Sequence, residues 1–264
     1  MEAFTEFRGR AKAEKRLPRS RTELVAIVGL GYVGLPTALA MHNSGRPVLG
    51  IDISQKRLAE IREEVCDLLP ADRERLAAAL ADEERFDLSG DCARLAEADA
   101  VIVCVPTPID AHQVPDLRAL KGACETVCRH ARAGQTIILT STTYVGTTRD
   151  LLVAPLTERD FVVGGDICVA FSPERIDPAN ADFTQEVVPR VLGAASPRCA
   201  RRAAEVIATI APSVHVVSSP EAAEMTKLYE NVFRAVNLTL ANEMAEAARV
   251  LGLSPPEILD AAAT

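Results

Sequence analysis

Short apolar runs alternate with longer amphipathic stretches from Leu24 to the end of the chain. Runs rich in Val, Ile and Leu that are bounded by glycine, proline or polar residues are typical of buried strands. They lie at 24–28, 47–52, 100–105, 136–140, 166–171, 191–192 and 214–217. Since helical stretches separate most of these runs, the pattern predicts an α/β protein with a doubly wound, mostly parallel sheet of the Rossmann type.

The stretches between the apolar runs predict helices at 35–42, 54–65, 117–132 and 197–210. The segment 68–95 is expected to be mostly helical, with an Ala/Leu-rich face. Ser219-Pro220-Glu221 is a typical helix start, and it predicts a long helix from Ala222 to about Leu251. Apolar residues occur around the whole circumference of that helix, so we expect it to be buried on most sides. Too little chain follows to bury it, and a partner subunit or further sequence is needed to cover it.

The first apolar run leads directly into a Gly-x-Gly-x-x-Gly sequence made by Gly29, Gly31 and Gly34. A strand, a glycine-rich turn and a helix in this order predict a dinucleotide phosphate site at the helix N-terminus. Three glycines can also simply mark a loop. The second strand ends in Asp52, however, where such a site places a carboxylate for the adenosine ribose. That carboxylate would repel a 2′-phosphate, so the sequence favours NAD over NADP.

Composition narrows the possible classes of protein. The 264 residues are 48% hydrophobic with a formal net charge of −8, which indicates a soluble globular protein and argues against nucleic-acid binding. No apolar run is long enough for a transmembrane helix. The seven cysteines are scattered without a CxxC pair, which predicts buried thiols in a reducing cytoplasm and no disulfide framework. The four histidines lack ligand spacing, so no metal is expected.

Residues 1–22 form a polar arm rich in arginine and lysine. The arm lacks the apolar segment of a secretory signal. It could be a disordered tail, the product of an overlong start annotation, or an interaction arm. We favour the disordered tail.

Six blocks resemble the front part of the nucleotide-sugar 6-dehydrogenases, the UDP-glucose/GDP-mannose dehydrogenase family. The blocks are VGLGYVGLP (28–36), GIDI (50–53), VPTP (105–108), STTYVGTT (141–148), FSPERIDPAN (171–180) and EMTKLYENVFRAVNLTLAN (224–242). The resemblance implies NAD-dependent oxidation of the C6 alcohol of a UDP-sugar to a carboxylate, in polysaccharide biosynthesis. STTY and SPERxDP are similar to the branch that acts on UDP-N-acetylglucosamine, with a UDP-glucose type of substrate as the alternative.

The resemblance also implies roles for individual residues. It places the pyrophosphate on Gly29, Gly31, Tyr32, Val33 and Gly34, the ribose on Asp52, the adenosine near Arg57, and the nicotinamide and a catalytic water near Thr107 and Thr142. It makes Glu174, Lys227, Asn231 and Thr142 catalytic. It makes Arg175, Ile176, Lys227 and Asn231 contacts of the sugar nucleotide.

These assignments agree with elementary chemistry. Lys227 and Asn231 are spaced i, i+4, so they share one helix face and could stabilise an oxyanion together. Glu174 follows a buried strand and Pro173, and could activate a water. Simpler readings are a solvated lysine with a capping or core amide, a Glu174–Arg175 ion pair, and a Thr142 that only forms a turn.

The resemblance predicts three segments: the basic arm (1–22), an NAD-binding Rossmann domain (23–218) and the start of a central helical dimerisation domain (219–264). It also implies a homodimer through the long helix. None of the seven cysteines matches the family nucleophile, which is expected downstream of Thr264 together with a UDP-binding domain. We therefore expect a truncated chain that cannot complete the oxidation.

Two other functions stay open at this stage. The chain could be an inactive NAD-binding remnant that acts as a structural or regulatory partner. It could also be a β-hydroxyacid dehydrogenase, which shares the fold and a catalytic lysine and asparagine on a long helix. The FSPER sequence argues against this last reading.

Overall fold

The computed structural model describes residues 23–112, 114–175 and 187–263. The basic arm (1–22) and the predicted sugar contact Ile176 lie outside the described residues. The strands are β1 (Val25–Val28), β2 (Val48–Ile51), β3 (Phe86–Ser89), β4 (Ala100–Val103), β5 (Thr136–Leu139), β6 (Cys168–Phe171), β7 (Arg190–Ala194) and β8 (Val214–Val216). The helices are α1 (Gly34–Asn43), α2 (Gln55–Arg62), α3 (Pro70–Leu80), α4 (Arg118–His130), α5 (Ala154–Glu158), α6 (Pro197–Ile207), α7 (Pro220–Val250) and α8 (Pro255–Ala262).

The strands form one sheet in the order β3-β2-β1-β4-β5-β6-β7-β8. All neighbouring strands are parallel except β6 and β7, which are antiparallel. This confirms the predicted mostly parallel, doubly wound Rossmann sheet. Val25 of β1 pairs with Val48 of β2 on one side and Ala100 of β4 on the other. The chain reverses its direction of winding between β1 and β4, and ligands of such sheets bind at that point, beyond the carboxyl ends of the strands.

The prediction that 68–95 is mostly helical is wrong for the strand Phe86–Ser89 and the residues around it, although a short 3₁₀ helix follows at Cys92–Glu97. Phe86–Ser89 is the edge strand β3, which pairs with β2. Phe86 and Leu88 are buried while Asp87 is exposed, so the alternation of a half-buried strand is present over only four residues. An alternation over four residues is a weak signal compared with the longer helical pattern of the Ala/Leu-rich segment before it. The pattern also missed α5 and the single π-helical turn at Arg149–Val153 before it.

The core lies on both faces of the sheet. Every residue of the central strands β1, β4, β5 and β6 is buried, as continuous apolar runs covered by helices require. All seven cysteines carry free thiols, and only Cys92 is not fully buried. Among the helices that the structure describes, none is long and apolar enough to cross a membrane.

Helix α7 has 31 residues, about 46 Å at 1.5 Å per residue, and leaves the sheet after its first two turns. Its buried residues are Pro220, Ala223, Glu224 and Ala248. The large apolar side chains between them are exposed, including Met225, Val232, Phe233, Leu240 and Met244. In this chain taken alone α7 is left largely exposed and α8 covers little of it, in agreement with the expectation that a partner subunit or further sequence is needed to cover it. Its burial in an assembly stays a prediction.

The start of α7 packs tightly on β7 through Gly193. A Cβ atom on Gly193 would lie 2.0 Å from the carbonyl oxygen of Ser219, which is backbone and cannot rotate away. We expect Gly193→Ala to lower the free energy of unfolding by about 2–3 kcal/mol through overpacking. Gly122→Ala is the matched control, because a Cβ on this glycine of α4 meets nothing within 4 Å. It should raise stability by about 0.5–1 kcal/mol, since alanine is the better helix former. Urea unfolding of both variants measures the difference, and equal midpoints would contradict the prediction.

Candidate cofactor and catalytic site

The three glycines of the loop after β1 are needed for different reasons. Gly29 has a φ of +87°, which disfavours any other residue. A Cβ on Gly34 would lie 1.7 Å from the carbonyl oxygen of Gly29, so the helix could not follow the strand this closely. A Cβ on Gly31 would meet nothing within 4 Å, so this backbone borders open space. The loop therefore leaves room for a ligand to approach its main chain.

Asp52 lies beside this loop and is bonded to it. Its Oδ2 atom accepts a hydrogen bond from Leu30 N at 2.8 Å, and its Oδ1 atom accepts one from Ser54 N at 2.9 Å. Ser54 also caps α2 by accepting from Arg57 N at 3.2 Å. Arg57 in turn donates from Nε to the carbonyl oxygen of Leu30 at 2.8 Å. The structure thus brings Asp52 and Arg57 together at the glycine loop, as an adenosine site requires.

An adenine dinucleotide fits these residues. No side chain caps the N-terminus of α1, so its positive dipole end is left to an anion. Gly31 borders open space, and Tyr32 beside it is 59% exposed. Each Asp52 oxygen has lone pairs left for ribose hydroxyls in addition to the bond that it accepts.

The Asp52 carboxylate gives a direct test of this site. We expect Asp52→Asn to weaken NAD binding by about 10- to 100-fold, because a charge-assisted hydrogen bond contributes about 1.5–3 kcal/mol. The preference for NAD over NADP should fall as well, since the repelling charge is gone. Asp166→Asn serves as control, because the Asp166 carboxylate accepts a hydrogen bond from Val162 N before β6, at the opposite end of the sheet. Calorimetric titration measures both affinities, and unchanged NAD binding in D52N would remove Asp52 from the site.

The loops that follow β4 and β5 are joined by hydroxyl groups. Thr107 donates from Oγ1 to the carbonyl oxygen of Thr142 at 2.9 Å, and Ser141 donates to the carbonyl oxygen of Val105 at 2.7 Å. Both loops lie at the carboxyl ends of neighbouring parallel strands. Thr107 and Thr142, predicted to border the nicotinamide, are therefore adjacent in the structure.

Glu174 follows β6 at the same edge of the sheet. Its Oε2 atom forms an ion pair with Nη2 of Arg190 at 2.6 Å, and its Oε1 atom accepts from Arg175 N at 2.7 Å. Cys104 lies between this group and the glycine loop. Its Cβ is 3.2 Å from the position of a Cβ on Gly34, and it is within electrostatic range of Glu174. Burial raises the pKa of the Cys104 thiol to about 12, so the thiol is uncharged at neutral pH.

Lys227 and Asn231 lie on one face of α7 and line a cleft of about 530 Å³. Arg175 lies across the cleft and pairs with Glu230 of α7, Nη2 to Oε1, at 2.6 Å. The cleft is lined by Arg175, Val188, Lys227, Glu230, Asn231, Phe233, Arg234, Asn237 and Leu238. Three of these side chains are cationic and one is anionic, so the cleft suits a ligand that carries negative charge.

The side chain of Lys227 is half-buried. Burial lowers the pKa of Lys227 below its ordinary value. The carboxylates of Glu230 and Glu174 oppose this shift, while Arg234 and Arg175 reinforce it. Lys227 is therefore within electrostatic range of both Glu174 and Arg175, and the structure brings together the catalytic residues predicted from the long helix and from the FSPER segment.

Sequence reasoning missed two charged residues that organise this site. Glu224, one turn before Lys227, is 1% exposed and accepts from Gly146 N at 2.6 Å, Thr148 N at 2.8 Å and Thr148 Oγ1 at 2.6 Å. Glu224 thereby ties the hydroxyl-rich loop after β5 (141–148, the hydroxyl loop) to α7. Nothing in the sequence distinguishes it from a surface glutamate. Arg190 is buried in β7. The sequence signal that could have identified Arg190 is its position as a charged residue in an otherwise apolar strand.

The described residues contain no group of three or more His, Cys, Asp or Glu side chains that could hold a metal ion. The site thus consists of a glycine loop with its carboxylate, two hydroxyl-rich loops, and a cleft under α7. A Rossmann sheet with this arrangement at its switch point defines a dinucleotide-binding oxidoreductase domain.

The chain belongs to the UDP-glucose/GDP-mannose dehydrogenase family. The NAD-binding domain of that family matches residues 23–211, and its central domain matches residues 221–264. This confirms the family predicted from the sequence blocks. The cofactor is therefore NAD, as the sequence predicted.

The relatives of the chain are nucleotide-sugar dehydrogenases. It is 34% identical over 243 residues to the UDP-N-acetyl-D-glucosamine 6-dehydrogenase of Pseudomonas aeruginosa, covering 91% of this chain and 56% of that protein. It is 32% identical over 243 residues to the UDP-N-acetyl-D-mannosamine dehydrogenase of Methanocaldococcus jannaschii, covering 90% and 54%. The structure of the UDP-D-ManNAc dehydrogenase from Pyrococcus horikoshii matches with a TM-score of 0.83 and 30% identity, covering 90% and 56%. The chain thus spans about half the length of the curated relatives it matches.

Proposed function

We propose that this protein takes part in NAD-dependent oxidation of the C6 alcohol of a UDP-sugar to the uronic acid. The observation that carries the proposal is the placement of Lys227 and Asn231 in one cleft with Arg175, within electrostatic range of Glu174. NAD, when bound, supplies the hydride acceptor. The residues of this chain bind the substrate, hold its reacting oxygen and move protons.

We assign to Lys227 the role of stabilising the oxyanion. Its side chain is half-buried in the cleft, and a positive charge stabilises a developing alkoxide more strongly where fewer water molecules surround it. Asn231 lies one turn further along the same face and adds a neutral donor. Together they would stabilise the negative charge that builds up on the C6 oxygen as its proton leaves.

We assign to Glu174 the role of the base that takes a proton from the attacking water. Oxidation from an alcohol to a carboxylate removes four electrons and adds one oxygen atom, which comes from water. A carboxylate can take the proton of that water as it attacks. Thr142, on the neighbouring hydroxyl loop, would help to hold the water, and Arg175 would bind the sugar nucleotide as a lining residue of the cleft.

A thiol nucleophile of the kind implied by the family is not assigned to any cysteine of this chain. Cys104, nearest to the site, has a pKa of about 12 and lies in the core. The complete oxidation is therefore proposed for the complete gene product. A reducing cytoplasm is the proposed compartment, in keeping with the seven free thiols.

The proposed substrate is a UDP-N-acetylhexosamine, with UDP-N-acetylglucosamine first. The relatives named above act, by their names, on UDP-N-acetyl-D-glucosamine and on UDP-N-acetyl-D-mannosamine. The test is NADH formation by the complete gene product with UDP-N-acetylglucosamine, UDP-N-acetylmannosamine and UDP-glucose in parallel. We expect one N-acetylhexosamine to react fastest and to yield a uronic acid by mass spectrometry. Binding of NAD without turnover of any UDP-sugar would instead support the inactive remnant.

We also propose that the exposed apolar side chains of α7 are covered by a second copy of the chain. Side chains such as Val232, Phe233, Val236 and Leu240 lie about 60% exposed on a helix that its own chain leaves bare. Light scattering should give a mass of about twice the 28.3 kDa of the chain. Val236→Glu, away from the cleft residues, should shift the mass towards that of a single copy. A monomeric wild-type protein would contradict the proposal.

A further inference from the structure

Arg190 is the largest side chain that the core encloses completely, and it is only 2% exposed. It is the first residue of β7, followed by the apolar residues Val191 and Leu192. A guanidinium taken out of water loses several kcal/mol of solvation, which pairing must offset. A well-packed apolar residue would fill a strand position without that cost. The position of this charge therefore calls for a reason beyond packing.

Among the residues that the structure describes, the guanidinium contacts the segment that carries the proposed base at two points. Nη1 donates to the carbonyl oxygen of Pro173 at 3.0 Å, and Nη2 pairs with Oε2 of Glu174 at 2.6 Å. One side chain thus holds both the backbone before Glu174 and the carboxylate itself. Pro173 adds its fixed φ angle to the same segment. The Glu174 side chain is 11% exposed, so its carboxylate depends on protein partners rather than on water.

We propose that Arg190 is a positioning residue that holds the carboxylate of Glu174 and the backbone before it in place. The inference rests on the proposed function of Glu174 as the base that takes a proton from water. Arg190 does not line the cleft, and it acts through Glu174.

The other charged and titratable groups near Glu174 do not replace Arg190. Arg175 contacts Glu174 through its backbone N–H, while its guanidinium is paired with Glu230. Lys227 acts from α7, and the same interaction with Glu174 favours its own charged form. Cys104 faces the group from the end of β4 as an uncharged thiol, since burial raises its pKa to about 12. Arg190 is thus a buried cation in direct contact with the carboxylate, and it is contributed by a strand of the sheet.

A purely structural role for Arg190 would give a different result from a positioning role. If Arg190 only tied β7 to the loop after β6, its loss would lower stability and leave kcat of the folded enzyme unchanged. If it positions Glu174, a neutral replacement should lower kcat while the KM for the UDP-sugar stays nearly the same. A lysine at the same position should restore part of kcat, because it keeps the charge that pairs with Glu174 while losing the contact with Pro173. The comparison of neutral and charged replacements therefore separates the two roles.

The experiment measures UDP-sugar-dependent NADH formation by the complete gene product, with urea unfolding of each variant as the measure of stability. In R190M and R190Q, we expect kcat to fall by about 10- to 100-fold, with the KM for the UDP-sugar within about threefold of wild type. R190K should have a kcat between those of R190M and wild type. R202M is the control, because Arg202 pairs with Glu23 and Glu205 away from the site.

An unchanged kcat in a folded R190M or R190Q would overturn the proposal. If neither neutral variant folds, R190K decides: a lowered kcat with unchanged KM supports the positioning role, and a wild-type kcat contradicts it. Failure of the proposed function is seen separately, in an E174Q variant that keeps wild-type turnover. An impaired E174Q beside an R190M with wild-type kcat would overturn the inference about Arg190 alone.

Discussion

Replacing Lys227 by methionine is expected to lower the rate of UDP-sugar-dependent NADH formation by the complete gene product by about 10²- to 10³-fold. This is the loss typical of removing one donor that stabilises a developing oxyanion. Methionine keeps most of the length and apolar volume of the lysine, so the packing of α7 should be preserved. NAD affinity should not change, because Lys227 lies in the cleft under α7 and not at the glycine loop.

The control for this prediction is Lys121→Met. Lys121 is an exposed lysine of α4 that lies outside the cleft under α7. The K121M variant should keep its turnover within about twofold of wild type, as expected of a surface substitution away from the site. Stopped-flow measurement of NADH formation with saturating NAD compares the two variants. A K227M variant that keeps more than a tenth of the wild-type rate would remove Lys227 from the catalytic group.

The lowered pKa of Lys227 adds a pH dependence to this prediction. Donation to an oxyanion requires the ammonium form, so activity should decline on the alkaline side at a lower pH than an ordinary lysine would give. The unfolded chain holds the proton of Lys227 more tightly than the folded one. Lys227 therefore lowers stability below its folded pKa, and this cost is relieved as pH rises towards the unfolded value. K227M should lose this part of the pH dependence of urea unfolding.

Replacing Glu224 by glutamine is expected to lower the free energy of unfolding by about 2–4 kcal/mol and turnover with it. The carboxylate accepts three hydrogen bonds from the loop after β5, and it is 1% exposed. An amide keeps one acceptor oxygen and turns an N–H group towards a donor, so at least one buried donor loses its partner. The midpoint of thermal unfolding should fall by roughly 5–10 °C for a chain of this size.

Glu221→Gln is the matched control for Glu224, one turn earlier on the same helix. Glu221 pairs with Arg149 at the surface. Its loss should change stability by less than about 1 kcal/mol, as is usual for exposed ion pairs. If E224Q and E221Q unfold at the same temperature, Glu224 does not hold the hydroxyl loop to α7. A fall in turnover without a fall in stability would assign Glu224 a different role.

The sequence determined most of the architecture because its signals are local. Continuous runs of β-branched residues indicate strands that helices cover on both faces, and the spacing of Gly29, Gly31 and Gly34 is set by one turn between a strand and a helix. The position of Asp52 follows from the length of one β-α-β unit. The edge strand Phe86–Ser89 was missed because four residues carry little periodicity, and its strand conformation depends on pairing with β2.

The composition of the site beyond its motifs was decided by tertiary structure alone. Whether Glu224 is a surface charge or a buried acceptor depends on the loop at Gly146 and Thr148, which is 76 to 78 residues away in sequence. Arg190 meets Glu174 only because β7 turns back antiparallel to β6. The sequence by itself thus determined the Rossmann fold, the family and the NAD loop, which follow from short-range patterns. The desolvation of Lys227 and the partners of the buried charges needed the tertiary structure, because burial and long-range pairing are properties of the packed chain and not of any segment of it.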